Sequence, residues 1–225
     1  MSSIRYNELK AEGLGYLANK EGRGIICYSS IAISDEGIPL SLLYQQTWVR
    51  PLKELGKAKR REQIVFEQKE SYNWYKGMSE VNKLLSNDIE KIHIADREAN
   101  IYELFFSTYE PNTDLLIRSR HNRQLSDGSH LWDSVAQQAV LARVELQIPD
   151  KKGIKRVPIE VEVRYQNVEI LRPSKSKHQY QSVELTAIIE VRQISAKYQW
   201  QEEPVHWKLL TTYIGQSNYP CNHPQ

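Results

Sequence analysis

The sequence is poor in cysteine and in long apolar runs. Its 225 residues include only two cysteines, Cys27 and Cys221, so we do not expect a disulfide scaffold. Cys27 lies in an apolar run and is expected in the core. No apolar stretch reaches about 18 residues, which argues against a membrane-spanning helix. The first ten residues, MSSIRYNELK, lack the apolar run of a signal peptide. These absences predict a cytoplasmic protein.

Several sequence motifs of catalysis and ligand binding are missing as well. The six histidines form no zinc-ligand spacing with cysteine, and the sequence contains no Walker loop and no GxGxxG. The absence of a GxSxG elbow disfavours a nucleophilic hydrolase. The net charge of +2 gives no global reason to expect binding to nucleic acid.

The charges are nevertheless unevenly distributed. Residues 53–61 carry five basic side chains and one acid, and residues 143–178 carry nine basic and five acidic ones. Each stretch is either ordinary solvated charge or a basic patch for a polyanion. The overall composition, with 40% hydrophobic and 26% charged residues, is that of a globular chain. The length suits one large domain or one domain with an insertion.

Apolar runs predict a β-hairpin and then an amphipathic helix in the first part of the chain. Residues 25–34 and 40–49 are joined by the turn DEGIP, and their nearly continuous apolar character predicts strands buried on both faces. Residues 71–86 are expected to be helical, although Gly77 weakens that prediction. Spacings of three and four place on one face Trp74, Met78, Val81 and Leu85.

A βαβ unit is predicted next. A short apolar strand over residues 89–95 ends at Asp96, residues 98–106 are expected to form a helix, and residues 115–120 form another strand. The crossover between the two strands should be right-handed.

The region after this unit changes to a period of two. After a short helix over residues 131–138, alternation predicts antiparallel strands with one wet face. These strands cover residues 143–148, 157–165, 183–191 and 206–212. The prediction is a mixed α/β core that carries an antiparallel β region. Residues 213–225 have no charged side chain and no periodicity, which is typical of a disordered terminus or of a chain cut off before a last helix.

Asp96 is the candidate functional residue that the strand pattern itself indicates. A carboxylate at the carboxyl end of a buried strand is where α/β sheets place functional groups. It can equally be an ordinary helix cap, with Glu98 favouring the helix dipole. Mg²⁺ is usually held by one or two carboxylates together with phosphates and water, and Asp96 is the single well-placed acid.

At residues 92–105 the sequence IHIADREANIYELF resembles the second catalytic aspartate motif of DDE transposases of the insertion-sequence-four type. Further segments resemble that family in order and spacing, and together they cover about residues 3–212. These segments are LYQQTWVRP (43–51), LLIRSRH (115–121), GSHLWDSV (128–135) and VHWKLLTT (205–212).

The resemblance implies an α/β fold with an RNase H-like mixed sheet, an inserted antiparallel β region and the last catalytic helix missing. Residues 1–120 would form the partial catalytic core, 121–205 the inserted subdomain, 206–212 the return strand and 213–225 an irregular tail. Asp96 would be catalytic and would hold Mg²⁺ or Mn²⁺. Arg118 and Arg120 would contact transposon-end DNA, and Trp207 would stack on a flipped base. For Trp207 the alternative is a core or strand-face aromatic.

Two departures from the family pattern bear on activity. SSIRY at residues 2–6 resembles the segment just after the family's first catalytic aspartate, which would then fall before Met1. Residues 213–225 contain nothing like the family's glutamate helix. We therefore expect a fragment of a cut-and-paste transposase that keeps one of three metal-binding carboxylates and is inactive as it stands.

Other functions remain open on the sequence alone. The fragment could be a non-catalytic DNA-binding or regulatory protein that acts on transposon ends or on full-length transposase. It could also be an unstable product without a role, or a separate RNase H-like nuclease with a second acid near Asp96. The expected partner is double-stranded DNA in the bacterial cytoplasm, near the nucleoid. No membrane partner is expected, and the family's dimerisation region is expected to be absent.

Overall fold

The computed structural model describes residues 2–6, 12–17, 22–52, 65–149, 154–174, 176, 180–194 and 204–213. The basic stretch at 53–61 and the tail from residue 214 onward therefore lie outside the described residues, as does Cys221. The chain divides into two compact units. The first comprises Met1–Glu90 and Tyr109–Asn112, and the second comprises Lys91–Thr108 and Thr113–Gln225.

The first unit is built around one long strand. Its strands are β1 (Ser2–Tyr6), β2 (Gly15–Tyr16), β3 (Arg23–Ile33) and β4 (Pro39–Trp48), and its helix is α1 (Tyr72–Leu84). All three other strands pair antiparallel with β3. Because β1 and β4 both pair with Ile26 and Cys27, they lie on opposite edges of β3. The predicted hairpin of residues 25–34 and 40–49 is confirmed as β3–β4.

Helix α1 packs on one face of this hairpin. It buries Trp74, Met78 and Val81, as its spacing predicts. The Trp74 ring meets the ring of Tyr28 edge-on, with centroids 5.2 Å apart. Gly77 lies directly against Tyr28, because a Cβ atom there would come within 2.2 Å of Tyr28 Cε1. The glycine that weakens the helix prediction is thus required by close packing.

The prediction that both hairpin strands are buried on both faces is wrong beyond the middle of β3. Tyr28 is 5% exposed, whereas Ile31 is 57% exposed and Leu42 is 53% exposed. The residues of this near-continuous apolar run are therefore buried only in the part of β3 that α1 and the neighbouring strands cover.

The second unit contains a mixed sheet in the order β5-β6-β10-β9-β8-β7. Strands β5 and β6 pair in parallel and the remaining neighbours pair antiparallel, as the sequence pattern predicts. The strands are β5 (Lys91–Ala95), β6 (Thr113–Arg118), β7 (Ala142–Pro149), β8 (Arg156–Leu171), β9 (Ser182–Gln193) and β10 (His206–Thr211). The short helix α2 (Leu131–Ala136) packs on β8 and β9.

The largest fully buried side chains all belong to this second unit. They are Leu104, Phe105, Leu115, Ile117, Leu131, Val135, Ile159, Val161, Ile170, Ile188 and Leu210. The chain is thus a mixed α/β protein with many strands and few helices. No helix among the residues described is long and apolar enough to cross a membrane.

The prediction that the antiparallel strands have one solvent-exposed face is wrong for part of β9. Ile188 is fully buried and Glu190 is 2% exposed, although both lie on the predicted polar face. Helix α2 packs on this side of the sheet near Ile188, and charged neighbours surround Glu190. The predicted domain boundaries at 120, 205 and 212 stay predictions.

Candidate nucleic-acid interface

Asp96 and Arg118 lie at the same level of the sheet. Ala95 of β5 pairs with Ile117 of β6 in parallel register, and Asp96 and Arg118 are the residues that follow them. Both side chains are exposed. The carboxyl edge of the parallel pair therefore presents one acid and one base to solvent, at the position where α/β sheets carry ligand sites.

The Asp96 carboxylate caps the turn that follows β5. Its Oδ1 atom accepts a hydrogen bond from the backbone N–H of Glu98 at 2.9 Å. The cap interpretation of Asp96 is thereby confirmed. The other carboxylate oxygen has no role in this cap, so the capping contact is compatible with a further ligand.

The predicted helix over residues 98–106 is wrong in type and in continuity. The chain forms a 3₁₀ turn at Arg97–Ala99 and a second 3₁₀ segment at Tyr102–Tyr109. Asn100 interrupts them, with φ −72° and ψ 63°, outside the helical region. Ala99 and Asn100 are both buried at this break.

Arg123 holds the break in place, and sequence reasoning missed it. Its Nη2 atom donates to the Asn100 carbonyl at 2.9 Å and lies 3.4 Å from Asn100 Oδ1. Burial lowers the pKa of the Arg123 guanidinium, which is only partly offset by the nearby Glu103 carboxylate. The contact ties the loop after β6 to the turn that begins at Asp96. In the sequence, Arg123 stands in the polar loop HNRQ and carries no signal that distinguishes it from solvated charge.

Helix α2 fixes the same loop from its other side. Trp132 Nε1 donates to Ser119 Oγ at 3.0 Å, and the Trp132 backbone N–H donates to Asn122 Oδ1 at 2.8 Å. Lys208 Nζ lies 5.5 Å from the centroid of the Trp132 ring, within cation–π range. Arg120 stays exposed between these anchors. The loop that carries Arg120 is therefore held at both ends.

The positive charges of this loop affect the protonation of His121. Partial burial lowers the pKa of His121, and the positive charges of Arg123 and Arg120 lower it further. The imidazole is consequently neutral near pH 7, and the positive charge of the loop comes from arginine.

Trp207 and Arg118 lie on one face of the sheet. Leu209 of β10 pairs directly with Arg118, and side chains two residues apart on a strand share a face, so Trp207 joins them. Trp207 is partly buried and packs against a cluster of Ile148, Ile159, Val161, Val191 and Val205. This packing supports the strand-face interpretation of Trp207. Its stacking on a base stays a prediction.

The opposite face carries a buried ion-pair group that no sequence pattern indicated. Glu190 Oε1 lies 2.7 Å from His206 Nε2 and 3.3 Å from Lys208 Nζ, and Oε2 lies 3.5 Å from Arg164 Nη1. The Glu190 side chain is 3% exposed. Burial raises its pKa, but the hydrogen bond with His206 and the charge of Lys208 outweigh that effect, so the pKa lies below its ordinary value.

The basic stretch 143–178 is partly neutralised within the sheet. Glu162 accepts from Arg143 Nη2 at 3.0 Å and from Arg164 Nη2 at 2.9 Å. The described part of this stretch therefore offers less free positive charge than its composition suggests. Four lysines of the stretch lie outside the described residues, namely Lys151, Lys152, Lys175 and Lys177, so the basic-patch alternative stays a prediction.

In the described ranges, no three His, Cys, Asp or Glu side chains are grouped closely enough to hold a metal ion. Asp96 alone supplies one carboxylate, whereas Mg²⁺ is usually held by one or two carboxylates together with substrate phosphates. Asp96 by itself therefore does not make up a magnesium site, and we derive no step through a metal. No family model matches the chain.

Proposed function

We propose that this chain binds double-stranded DNA as part of an insertion-sequence-four type DDE transposase with an RNase H-like core. The observation that carries the proposal is the juxtaposition of Asp96 and Arg118 at the carboxyl edge of β5 and β6. The D-R-E-A-N-I motif begins at this edge. Arg118, Arg120 and Trp207 would contact the DNA end.

The chemistry of the edge supports a polyanionic ligand. Arginine forms charge-assisted and often bidentate hydrogen bonds to phosphate, and Arg118 and Arg120 are exposed. Trp132 and Arg123 hold the loop between them, so less side-chain and backbone freedom is lost on binding. The Trp207 ring, on the same sheet face as Arg118, would stack on an unpaired base without reading its sequence.

In the proposed parent reaction, water hydrolyses the transposon-end phosphodiester, and the freed 3′-hydroxyl then attacks a target phosphodiester and displaces the 3′-hydroxyl of the target strand. Asp96 would be one of three carboxylates in that scheme. Since Asp96 is the single carboxylate of this chain that the resemblance assigns to the site, the proposed chain binds DNA ends but does not cleave them. A non-catalytic regulatory role at transposon ends is the second candidate, and the exposed Arg118 and Arg120 favour it, because contacts to phosphate need no catalytic carboxylate.

Incubating the purified chain with a labelled duplex in Mg²⁺ or Mn²⁺ is expected to give no nicked product above background. An Asp96→Ala variant serves as the control and should give the same background. Nicking by the unaltered chain that disappears in Asp96→Ala would contradict the inactive assignment. It would show that other acids complete the site.

A further inference from the structure

The tip of the β3–β4 hairpin presents an apolar face to solvent. We define the distal arm as residues 29–42. Ile31 and Ile33 alternate along β3, and Leu42 pairs with Ile31, so these three side chains share one face, and Leu40 is the neighbouring residue at a register shift of β4. Their exposed fractions are 57% for Ile31, 60% for Ile33, 65% for Leu40 and 53% for Leu42.

Helix α1 covers only the opposite face of the hairpin. Tyr28, on that face, contacts Trp74 edge-on and lies 6.1 Å from the ring of Tyr44. Ser30 Oγ donates to Tyr28 Oη at 3.1 Å, which continues the polar and aromatic packing of the covered side. Ile31 and Leu42 therefore lie on the face of the hairpin opposite to the one that carries Tyr28.

The exposed face of the arm also lacks charge. Residues 25–34 and 38–49 contain no Lys, Arg, Asp or Glu, and the nearby acids Asp35 and Glu36 lie in the turn. Soluble proteins usually guard exposed strands with charge, especially lysine. The apolar side chains together expose on the order of 500 Å² per copy, a size at which surface patches are often functional.

We propose that this face binds the same face of a second copy of the chain. A neutral apolar surface is complementary to itself, because no charge is desolvated or opposed when two copies meet. Two-fold packing of one patch on itself is the isologous arrangement, and two sheet faces can pack at about 10 Å. The occupied surface would total roughly 1,000 Å², which belongs to the weak or transient class of interface. The dimer is thus a reversible one, and its contact residues are other than Arg118, Arg120 and Trp207.

Sedimentation velocity of the full chain at protein concentrations from about 1 to 200 µM, a range suited to a micromolar dissociation constant, tests the proposal. We expect one boundary that moves from monomer to dimer as the concentration rises. A monomer at every concentration would overturn the proposal and would leave the face to a different protein. Open-ended growth beyond the dimer would also overturn it, since the packing would then not be two-fold.

The variants Leu42→Lys and the milder Leu42→Thr test whether this face, and not another surface, forms the dimer contact. Each variant is expected to raise the dimer dissociation constant at least tenfold, because a charge or a hydroxyl replaces apolar area at the contact. Circular dichroism must show that each variant is folded like the unaltered chain. Ile154→Lys, at a side chain that is 77% exposed outside the arm, is the matched control and should leave the dimer unchanged. Equal weakening by the control would exclude this face as the contact.

Discussion

Replacing Glu190 with alanine is expected to lower the free energy of unfolding by about 3–5 kcal/mol. The substitution leaves Arg164 and Lys208, whose side chains are 14% and 15% exposed, without the carboxylate that offsets their desolvation. Removing one partner of a buried ion pair is costly because the remaining charge stays uncompensated. Urea unfolding followed by circular dichroism measures the change.

Two comparisons separate this effect from the loss of an ordinary surface acid. Glu184→Ala changes an exposed acid on the same strand and should shift the free energy of unfolding by less than about 0.5 kcal/mol. Replacing Glu190, Arg164 and Lys208 together by methionine should recover much of the loss, since no unpaired charge remains. Equal losses for Glu184→Ala and Glu190→Ala would contradict the buried ion-pair interpretation.

The same carboxylate contributes to acid sensitivity. The folded pKa of Glu190 lies below its ordinary value of 4.5, so the unfolded chain takes up the proton first as the pH falls. Its stabilisation is complete above about pH 4.5 and is lost as the pH falls through the lower folded pKa. In Glu190→Ala, the pH dependence of the unfolding free energy below that value should be correspondingly shallower.

Gly77→Ala is expected to destabilise the protein by about 2 kcal/mol, although alanine is the better helix former by roughly 1 kcal/mol. The added Cβ atom would lie 2.2 Å from Tyr28 Cε1 and 2.5 Å from Cζ. The ring cannot withdraw freely, because Trp74 and Tyr44 flank it. The measurement is the urea midpoint together with its slope.

A second substitution tests whether the Tyr28 ring is the cause. In a Tyr28→Leu background the smaller side chain leaves room, so Gly77→Ala should cost less there or become stabilising. Lys76→Gly, on an exposed position of α1, reports the helix propensity alone and should cost about 1 kcal/mol. A stabilising effect of Gly77→Ala in the unaltered chain would contradict the close packing of α1 on β3.

The periodic segments of this sequence could be predicted, because the spacing of their apolar side chains follows from packing against one neighbouring layer. The spacing of Trp74, Met78 and Val81 predicted α1, and the alternation in residues 157–165 and 183–191 predicted β8 and β9. The parallel pairing of β5 and β6 also followed from the strand–crossover–strand order of the predicted βαβ unit. These features depend on local pattern and chain length.

Features that depend on distant parts of the chain could not be predicted in this way. Glu190 occupies a polar position in its strand, and only the approach of Arg164, His206 and Lys208 makes it a buried ion. The apolar run of residues 25–34 looks uniformly buried, although α1 covers one face only. The break at Asn100 depends on Arg123, which is 23 residues away.

The residues of the candidate site also fall into those that the sequence could predict and those that it could not. Asp96 could be predicted from the sequence pattern, since it follows a short apolar strand, whereas Arg118 and Arg120 were found by resemblance; the parallel register then places Arg118 beside Asp96. Arg123 and Trp132 could not be predicted. They contribute to the site only by holding the loop of Arg120, through contacts that form in the folded chain. Trp207 was found by resemblance alone, and its partial burial comes from packing with the strand residues around it.

DNA binding as a function of salt tests the central claim most directly. The full chain is titrated against a labelled duplex and against a hairpin with unpaired tip bases, from about 50 to 200 mM salt. We predict tighter binding to the hairpin and a steep fall in affinity with salt. Arg118→Gln and Arg120→Gln should each lower the salt slope by about one, and Trp207→Leu should remove the preference for the hairpin.

Lys76→Gln removes one exposed positive charge on α1 and should leave the slope unchanged. A flat, weak salt response of the unaltered chain would contradict DNA binding at this edge. Equal changes of the salt slope in Arg118→Gln and Lys76→Gln would also contradict DNA binding at this edge.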